Sequence, residues 1–432
     1  MQTIGSTRYA VTVNGAKKSV LRAPVKNAYF YDGKRRFDIT EAAACLFSHD
    51  FSAPAQICVR PNFPAKSVRI RPEVDFAFEN GEVRFALAQP AKLSLEFDGD
   101  LFGNLHLFAE KQTDFAPQGD VVRFAAGEHF AGTICLKSGQ TLCLEEGAFV
   151  RGVVKAEGEN IRVCGFGVLA GCDFEHDDEK PREMLFRAEN CKNLRIEGVF
   201  MLDSPSWTLC CIGCENVLIR NVKQICHARN SDGLDICACR DVRIEDCFLR
   251  NYDDNISVKA CAGADAGDCR DISMKNCLLW GDCAHNMLIG PESDPEAGNV
   301  YENIVFENIR VLEHKEYLEL YQGVMAVFAA DNARIQNILW KNISIDRIAC
   351  GRPFSFTFTE AYASTVGKSI RNVTLQNITC GEPCCGCSVA LGFSPDRRIE
   401  GVKVENMTIA GTRVTADSAA VLTNEFAEIE II

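Results

Sequence analysis

From about residue 120 the chain repeats a short apolar-x-apolar triplet, usually preceded by Asn or Asp: NIRV at 160, NLRI at 193, NVLI at 216, DVRI at 241, DISM at 271, NIVF at 303, NILW at 337 and NVTL at 372, with GVKV at 401. Successive triplets lie 23 to 35 residues apart, and many are followed by a second Asn-centred piece such as RNV, KNC, ENI or QNI. A helical repeat would show an apolar period of about 3.6; a period of two broken by polar turns predicts strands. Coils of this length leave no room for helices and predict a parallel β-helix, in which equivalent residues stack about 4.8 Å apart. Asn at the turns suits the left-handed backbone conformation and side-chain ladders, while Cys, Val and Ile fill the interior. Nearly all of these Asn and Cys residues are therefore structural.

Residues 1–112 have a different texture. Strand signals stand apart as YAVTV, ICVRP, SVRIRP, VRFALA and KLSLEF. Asn80-Gly81 invites a tight type I′ turn before Val83, Phe85 and Leu87 alternate to one face, and Pro90 breaks the chain before Leu93, Leu95 and Phe97 repeat the alternation. The expectation is an antiparallel β-sandwich.

Composition excludes several classes. With 47% hydrophobic and 24% charged residues the chain is an ordinary globular one. A net charge of -13 argues against nucleic acid or an acidic membrane surface as the main partner, since both are bound through dense Lys/Arg patches. The N-terminal MQTIGSTRYAVTVNG carries no apolar run behind a basic start, and no segment approaches the ~18 continuous apolar residues of a membrane helix; the expected location is the cytoplasm. The 23 cysteines, an odd number spread along apolar strands, fit reduced thiols used as small core residues. Cys380, Cys384, Cys385 and Cys387 lack a second paired cluster at zinc-site spacing, so no metal is assigned.

Against this frame, NSDGLD at 230–235 and YDDNIS at 252–257 stand out. Asp232 lies 13 residues after Ile219, Asp253 lies 9 after Ile244 and His285 lies 11 after Met274, similar offsets from three successive triplets. Stacking then brings Asp232 near Asp253 and Asp254, with His285 about one coil further. A lone Asp-Asp pair is ordinarily a solvated turn, and both side chains face one groove only if the backbone bends. Crowding changes the reading: of three clustered carboxyls one stays protonated, which supplies an acid and a base from one residue type. Two carboxyls about 6.5–9.5 Å apart, with room for a water, are the equipment of inverting glycoside hydrolysis.

The run from Asp203 to Lys259 resembles the central region of glycoside hydrolase family 28, the polygalacturonases: it carries an SPxW segment, NSDGLD in place of NTDGxD, and an Asp-Asp pair followed by a Lys. AHNMLIG resembles the family's GHG…IG motif, with Ala284 and Asn286 in place of both glycines. The N-terminal sandwich is reminiscent of the family 49 dextranases. The resemblance implies an all-β chain, a right-handed parallel β-helix over 113–432 preceded by the small antiparallel sandwich of 1–112. It implies Asp253 as general acid, Asp232 and Asp254 as the pair that holds and activates water, and His285 as a residue that orients the acid and contacts substrate. Asn230 and Lys259 would line the cleaving subsite. Asp235 reads as a structural partner within the coil, and His227 as a turn-capping or surface residue.

One departure bears on substrate. The polygalacturonases carry an Arg-Ile-Lys motif after the histidine to grip galacturonate carboxylates, whereas GVMAVFAAD at 323–331 has no basic residue. Nearby Arg334 reads as strand-flanking. The substrate is then a neutral sugar, or a uronate held by other groups. The expectation is an α-linked oligosaccharide substrate, no cofactor, and exo action in a groove closed by the sandwich or by insertions at 173–189 and 291–301. A β-helix lyase or epimerase and a non-catalytic carbohydrate-binding β-helix are the alternatives, and homo-oligomerisation stays open.

Overall fold

The structure is a computed structural model and describes residues 4–32, 34–175, 183–261 and 265–432. Two five-stranded sheets come first. One orders its strands Ala16–Lys18, Tyr9–Val13, Ala55–Pro61, Glu82–Leu87 and Phe76–Glu79, antiparallel throughout. Asn80 and Gly81, both at positive φ, make the expected tight turn, with Glu79 opposite Glu82. The second sheet orders Leu21–Tyr31, Lys34–His49, Leu105–Lys111, Ala91–Phe97 and Val68–Arg71. It is antiparallel except where Leu105 pairs parallel to Ala43.

The two sheets close a core of Val11, Ile57, Val83 and Phe85 from one side and Cys45, Phe47, Leu95 and Leu107 from the other. The second sheet also buries its outer face, so neighbours in sequence serve different cores. Ala43 and Cys45 point into the sandwich, while Ala42 and Ala44 point onto the β-helix.

Among the described residues the remaining strands, from Asp120–Phe124 to Ala427–Ile431, number 29 and form one right-handed parallel β-helix. Nearly all pairings between coils are parallel, the short Thr412–Arg413 being antiparallel to its neighbour. The sequence triplets stack residue over residue: Leu194, Val217, Val242, Ile272, Ile304, Ile338, Val373 and Val402 are successive partners. Each such buried aliphatic residue contributes about 1.5–3 kcal/mol. Further along, Trp340 stacks between Phe306 and Phe356, each at 5.6 Å.

Asn residues mark the coil corners as expected. Asn216 Nδ2 donates to Asn193 Oδ1 at 2.7 Å, and Asn342, Asn377 and Asn406 continue a second ladder at 2.9 Å per step, all at positive φ. All 23 cysteines are free thiols. Among the described residues no helix is long and apolar enough to cross a membrane.

Candidate active site

The strands Lys223–Cys226, Phe248–Asn251 and Leu278–Gly281 each end at one corner of the coil, and the turns that follow carry the acidic motifs. The Gly of NSDGLD is dictated by packing. A Cβ at Gly233 would lie 2.4 Å from both the Asn255 carbonyl and Asn251 Nδ2, so only glycine lets this turn sit against the next coil. Beneath the turns runs a buried amide ladder. Asn251 Nδ2 donates to Gln224 Oε1 at 3.1 Å and to Asn255 Oδ1 at 3.0 Å, and Asn255 Nδ2 donates to Asn286 Oδ1 at 2.8 Å. Asn286, which replaces a family glycine, thus continues this ladder, and its amide meets His314 Nδ1 at 3.1 Å.

On this platform the chain leaves the strand after Asn251, and the bend lets consecutive aspartates face the same way. Asp232, Asp253 and Asp254 each place one carboxylate oxygen within 4.8 Å of the others. Coil stacking brings Asp232 to the adjacent pair Asp253 and Asp254, and this oxygen spacing is shorter than the ~6.5–9.5 Å expected from the inverting pattern. Asp254 N–H donates to Asp253 Oδ1 at 3.1 Å.

His285 is fully buried and lies level with Asp254 on the next coil, where Asn255 N–H donates to the His285 carbonyl at 2.9 Å. Its backbone N–H donates to Asp254 Oδ1 at 2.9 Å and its Nδ1 to the same oxygen at 2.7 Å; Nε2 donates to the Tyr321 carbonyl at 2.6 Å. Both ring nitrogens face oxygen acceptors, which favours the imidazolium. His285, expected to orient the acid and contact substrate, bonds directly to Asp254, the neighbour of Asp253, and the Tyr321 and Phe328 rings close over it at 4.6 and 5.5 Å.

Lys259 reaches in from the strand Ile256–Lys259 and is almost fully buried. Its ammonium lies 3.0 Å from Asp232 Oδ2, 3.0 Å from Asp235 Oδ1 and 3.6 Å from Glu292, over the Trp207 ring at 4.1 Å. Asp235 is accordingly a partner inside the coil. Asn230 occupies the turn before Asp232 with φ 57°, and its buried Oδ1 has no hydrogen-bond partner among the described residues. Asp232 Oδ1 is likewise buried and unpartnered.

These surroundings split the proton affinities. Burial, then the Asp232 and Asp254 charges, push the Asp253 carboxyl well above the usual aspartate range. Burial pulls Asp254 the same way, but the His285 charge and hydrogen bonds win and hold it below its ordinary value. Burial and Asp254 raise Asp232 although Lys259 opposes them. Burial disfavours the Lys259 cation, yet Asp232 and Asp235 outweigh it and raise its pKa well above the ordinary lysine value. Asp253 thus holds its proton more tightly than the Asp254 carboxyl beside it, the divergence that an acid–base pair requires.

Three contributors were not legible as site residues: Trp207 under Lys259, Glu292 beside it, and Tyr321 capping His285. Trp207 had a signal in the SPSW segment. Glu292 and Tyr321 come from loops whose approach no local pattern announces, although Glu292 lies in the insertion 291–301. Of the other insertion, residues 176–182 lie outside the described residues. GVMAVFAAD forms a buried strand, Met325–Ala329, on which Phe328 stacks with Tyr321 at 4.5 Å; the expected cation position is an aromatic wall. Arg334 donates to the Gly298 carbonyl at 2.9 Å and fixes the 291–301 loop. His227 lies 3.0 Å from Asp203, one turn before the acidic cluster. Cys384 packs toward Cys380, whereas Cys385 turns to the Gly351 carbonyl at 3.2 Å.

Comparison with known proteins agrees with this arrangement. Residues 153–426 match the family model for glycosyl hydrolases family 28. Among curated relatives, exopolygalacturonase B of Aspergillus niger is 25% identical over 295 residues, 60% of this chain and 63% of the relative. A probable exopolygalacturonase B of Neosartorya fischeri is 25% identical over 285 residues, 58% of this chain and 59% of the relative. The chain thus spans about three-fifths of the length of these relatives. Among solved structures, the family 28 exopolygalacturonase of Yersinia enterocolitica aligns over 99% of this chain and 94% of its own, with 11% identity and a TM-score of 0.55. The polygalacturonase of Erwinia carotovora ssp. carotovora aligns over 72% and 89%, with 17% identity and a TM-score of 0.56. Both share the β-helical fold.

Proposed function

The chain belongs to the glycosyl hydrolases of family 28, and from that premise we propose that it hydrolyses α-glycosidic bonds of an oligosaccharide with inversion. The observation that carries hydrolysis is the cluster of three carboxyls within 4.8 Å whose proton affinities diverge; inversion, for which that spacing is short, rests on the room Asp232 and Asp254 offer a water. Asp253 donates its proton to the glycosidic oxygen as the bond to the anomeric carbon breaks. A water held by Asp254 and the free Oδ1 of Asp232 attacks that carbon from the opposite side and gives its proton to the carboxylate. Lys259 fixes Asp232 through Oδ2, and its ion pairs weaken that carboxylate as a direct nucleophile, which favours attack by water. Asn230 Oδ1, buried and unpartnered, is placed to accept a substrate hydroxyl.

The sugar beside the acid is a neutral one in this reading. Lys259 is neutralised by Asp232, Asp235 and Glu292, and the strand that would present cations presents Phe328 behind Tyr321. Exo action follows the names of the curated relatives and the sandwich wall along the groove. The test is a screen of neutral and uronic α-linked oligosaccharides, scored by new reducing ends without unsaturated uronide absorbance. Asp253→Asn is the control, with a loss of about 10²–10⁴-fold in kcat expected. Proton NMR of the first-formed anomer checks stereochemistry: the retained anomer would make one of the close carboxylates a nucleophile, and full activity of Asp253→Asn would remove the assigned acid.

A further inference from the structure

A cavity of about 340 Å³ opens where the sandwich meets the β-helix. That is the lower end of the roughly 300–1,000 Å³ of small-molecule sites. Its floor comes from successive coils: Phe149 and Arg151, Ala170 and Cys172, Leu202 and Asp203, then His227. Its other wall is the sandwich hairpin, through Arg22, Pro24, Ile39, Thr40 and Glu41.

The coil register ties this cavity to the acidic cluster. Arg151 pairs with Ala170, Ala170 with Leu202, Leu202 with Ile225, and Cys226 with Asn251. The residue that follows His227 in the column is therefore Tyr252, immediately before Asp253, one coil or about 5 Å further along. The hairpin strand follows the same line. Beyond Pro24, its Lys26 ammonium lies 4.3 Å from the Tyr252 ring and its Ala28 carbonyl accepts from Tyr317 at 2.7 Å. The cavity therefore lies beside the coil that carries Asp232 and one coil before Tyr252 and Asp253, with the hairpin along its side.

The lining has the composition of a sugar site. Its guanidiniums are balanced by neighbouring carboxylates, Arg22 with Glu41 at 2.8 Å and Arg151 with Glu128 at 3.0 Å and with Asp173, and the His227 ring lies 3.0 Å from Asp203. His227 Nδ1 is buried without a hydrogen bond of good geometry. Paired guanidinium and carboxylate edges offer donors and acceptors to hydroxyl groups without a net charge to hold a carboxylate. Pro24, Phe149 and the exposed Ile39 supply apolar surface for the C–H face of a pyranose ring.

We propose that this cavity is a subsite for a neutral sugar unit of the substrate chain, away from the bond that Asp253 protonates, and that the sandwich wall thereby sets how long a chain is accepted. The inference rests on the hydrolase reading, and its test separates the two. Neutral α-linked gluco- and galacto-oligosaccharides of two to six units, with galacturonate oligomers as comparison, are titrated by calorimetry into Asp253→Asn and assayed with the active enzyme. Affinity and kcat/KM rise with added neutral units, and Thr40→Trp, which fills the cavity, or His227→Ala removes at least tenfold of that rise; a melting curve checks that each variant folds. An unchanged length profile in both folded variants overturns the subsite, as does a rise seen with galacturonate oligomers alone. Binding that increases with length and is lost in Thr40→Trp, without hydrolysis of any sugar, keeps the subsite and refutes the hydrolase reading. No binding of any sugar refutes both.

Discussion

Ala284 sits at φ 60° where the family's motif has glycine. An L-residue in this region costs about 1–2 kcal/mol, part of which glycine recovers and part of which it returns as unfolded-state entropy. Ala284→Gly is expected to raise stability by about 0.5–1 kcal/mol in urea unfolding, with His285 left in place. Lys259 presents the opposite case. Its removal strands Asp232 and Asp235 in a buried site, and Asp235 already has neither carboxylate oxygen in a hydrogen bond of good geometry. Lys259→Met should therefore destabilise by about 3–5 kcal/mol, and Lys259→Met with Asp235→Asn by less, which a double-mutant cycle in urea would measure. The Asp254–His285 pair makes a pH prediction with two limbs. Asp254 is depressed, so its contribution is present above the unfolded aspartate value of about 3.9 and is lost as pH falls through the folded value; His285 is raised, so its contribution is full below about 6.5 and is lost as pH rises through the folded value. The Tm difference between the native protein and His285→Gln should be largest near pH 5 and shrink on both sides.

At the level of the coil, the Asn ladders combine two effects that substitutions can separate. Asn342 holds φ 56° and donates to Asn308 at 2.9 Å while accepting from Asn377 at 2.9 Å. Asn342→Ala loses the bonds and keeps the backbone cost, whereas Asn342→Gly loses the bonds alone. The expected losses are about 2–3 kcal/mol for alanine and about 1 kcal/mol less for glycine, read from urea midpoints. These corners, with the triplets between them, were legible because one-sided burial imprints a period of two and a αL corner selects Asn. The strand Lys34–His49 was not. Ala42, Ala43, Ala44 and Cys45 are buried alternately against two different cores, so hydrophobicity does not alternate and the sandwich reading missed the strand that joins it to the β-helix. In the site, Asp232, Asp253, Asp254 and Lys259 were legible because coil spacing turns sequence separation into proximity. Tyr321 was invisible, since its carbonyl bond to His285 could come from any residue type and its ring reaches the site from a turn that no coil spacing places.

Across the whole molecule, the seam between sandwich and β-helix crosses the coil that carries His285 and continues onto the next. Arg250 is fully buried and bidentate to Asp282, 2.9 Å at each oxygen, and its third arm donates to Asn104 of the sandwich at 2.8 Å. Arg71 of the sandwich, also fully buried, pairs with Glu96 at 2.7 Å and crosses to Glu313 of the β-helix at 2.8 Å. Trp280 lies between the two guanidiniums, 5.0 Å from Arg71 and 4.5 Å from Arg250, and donates to Asp282 at 3.0 Å. Asp282 opens the turn that ends at His285, so the sandwich braces the histidine that lowers the Asp254 pKa. Two consequences follow. Because the seam buries charges whose partners sit on both bodies, neither unfolds alone without exposing them, and calorimetry should show one cooperative transition, not two. Arg250→Met leaves Asp282 buried and uncompensated at a cost of about 3–5 kcal/mol, and the loosened turn should let Asp254 rise toward its ordinary pKa. The acid limb of the kcat/KM profile would then move to higher pH, although Arg250 touches neither carboxylate nor sugar. Asn104→Ala should shift that limb less, because it removes one neutral acceptor and leaves the Arg250–Asp282 pair intact. A profile unmoved by Arg250→Met in the folded protein would show that the turn holds its geometry without the sandwich.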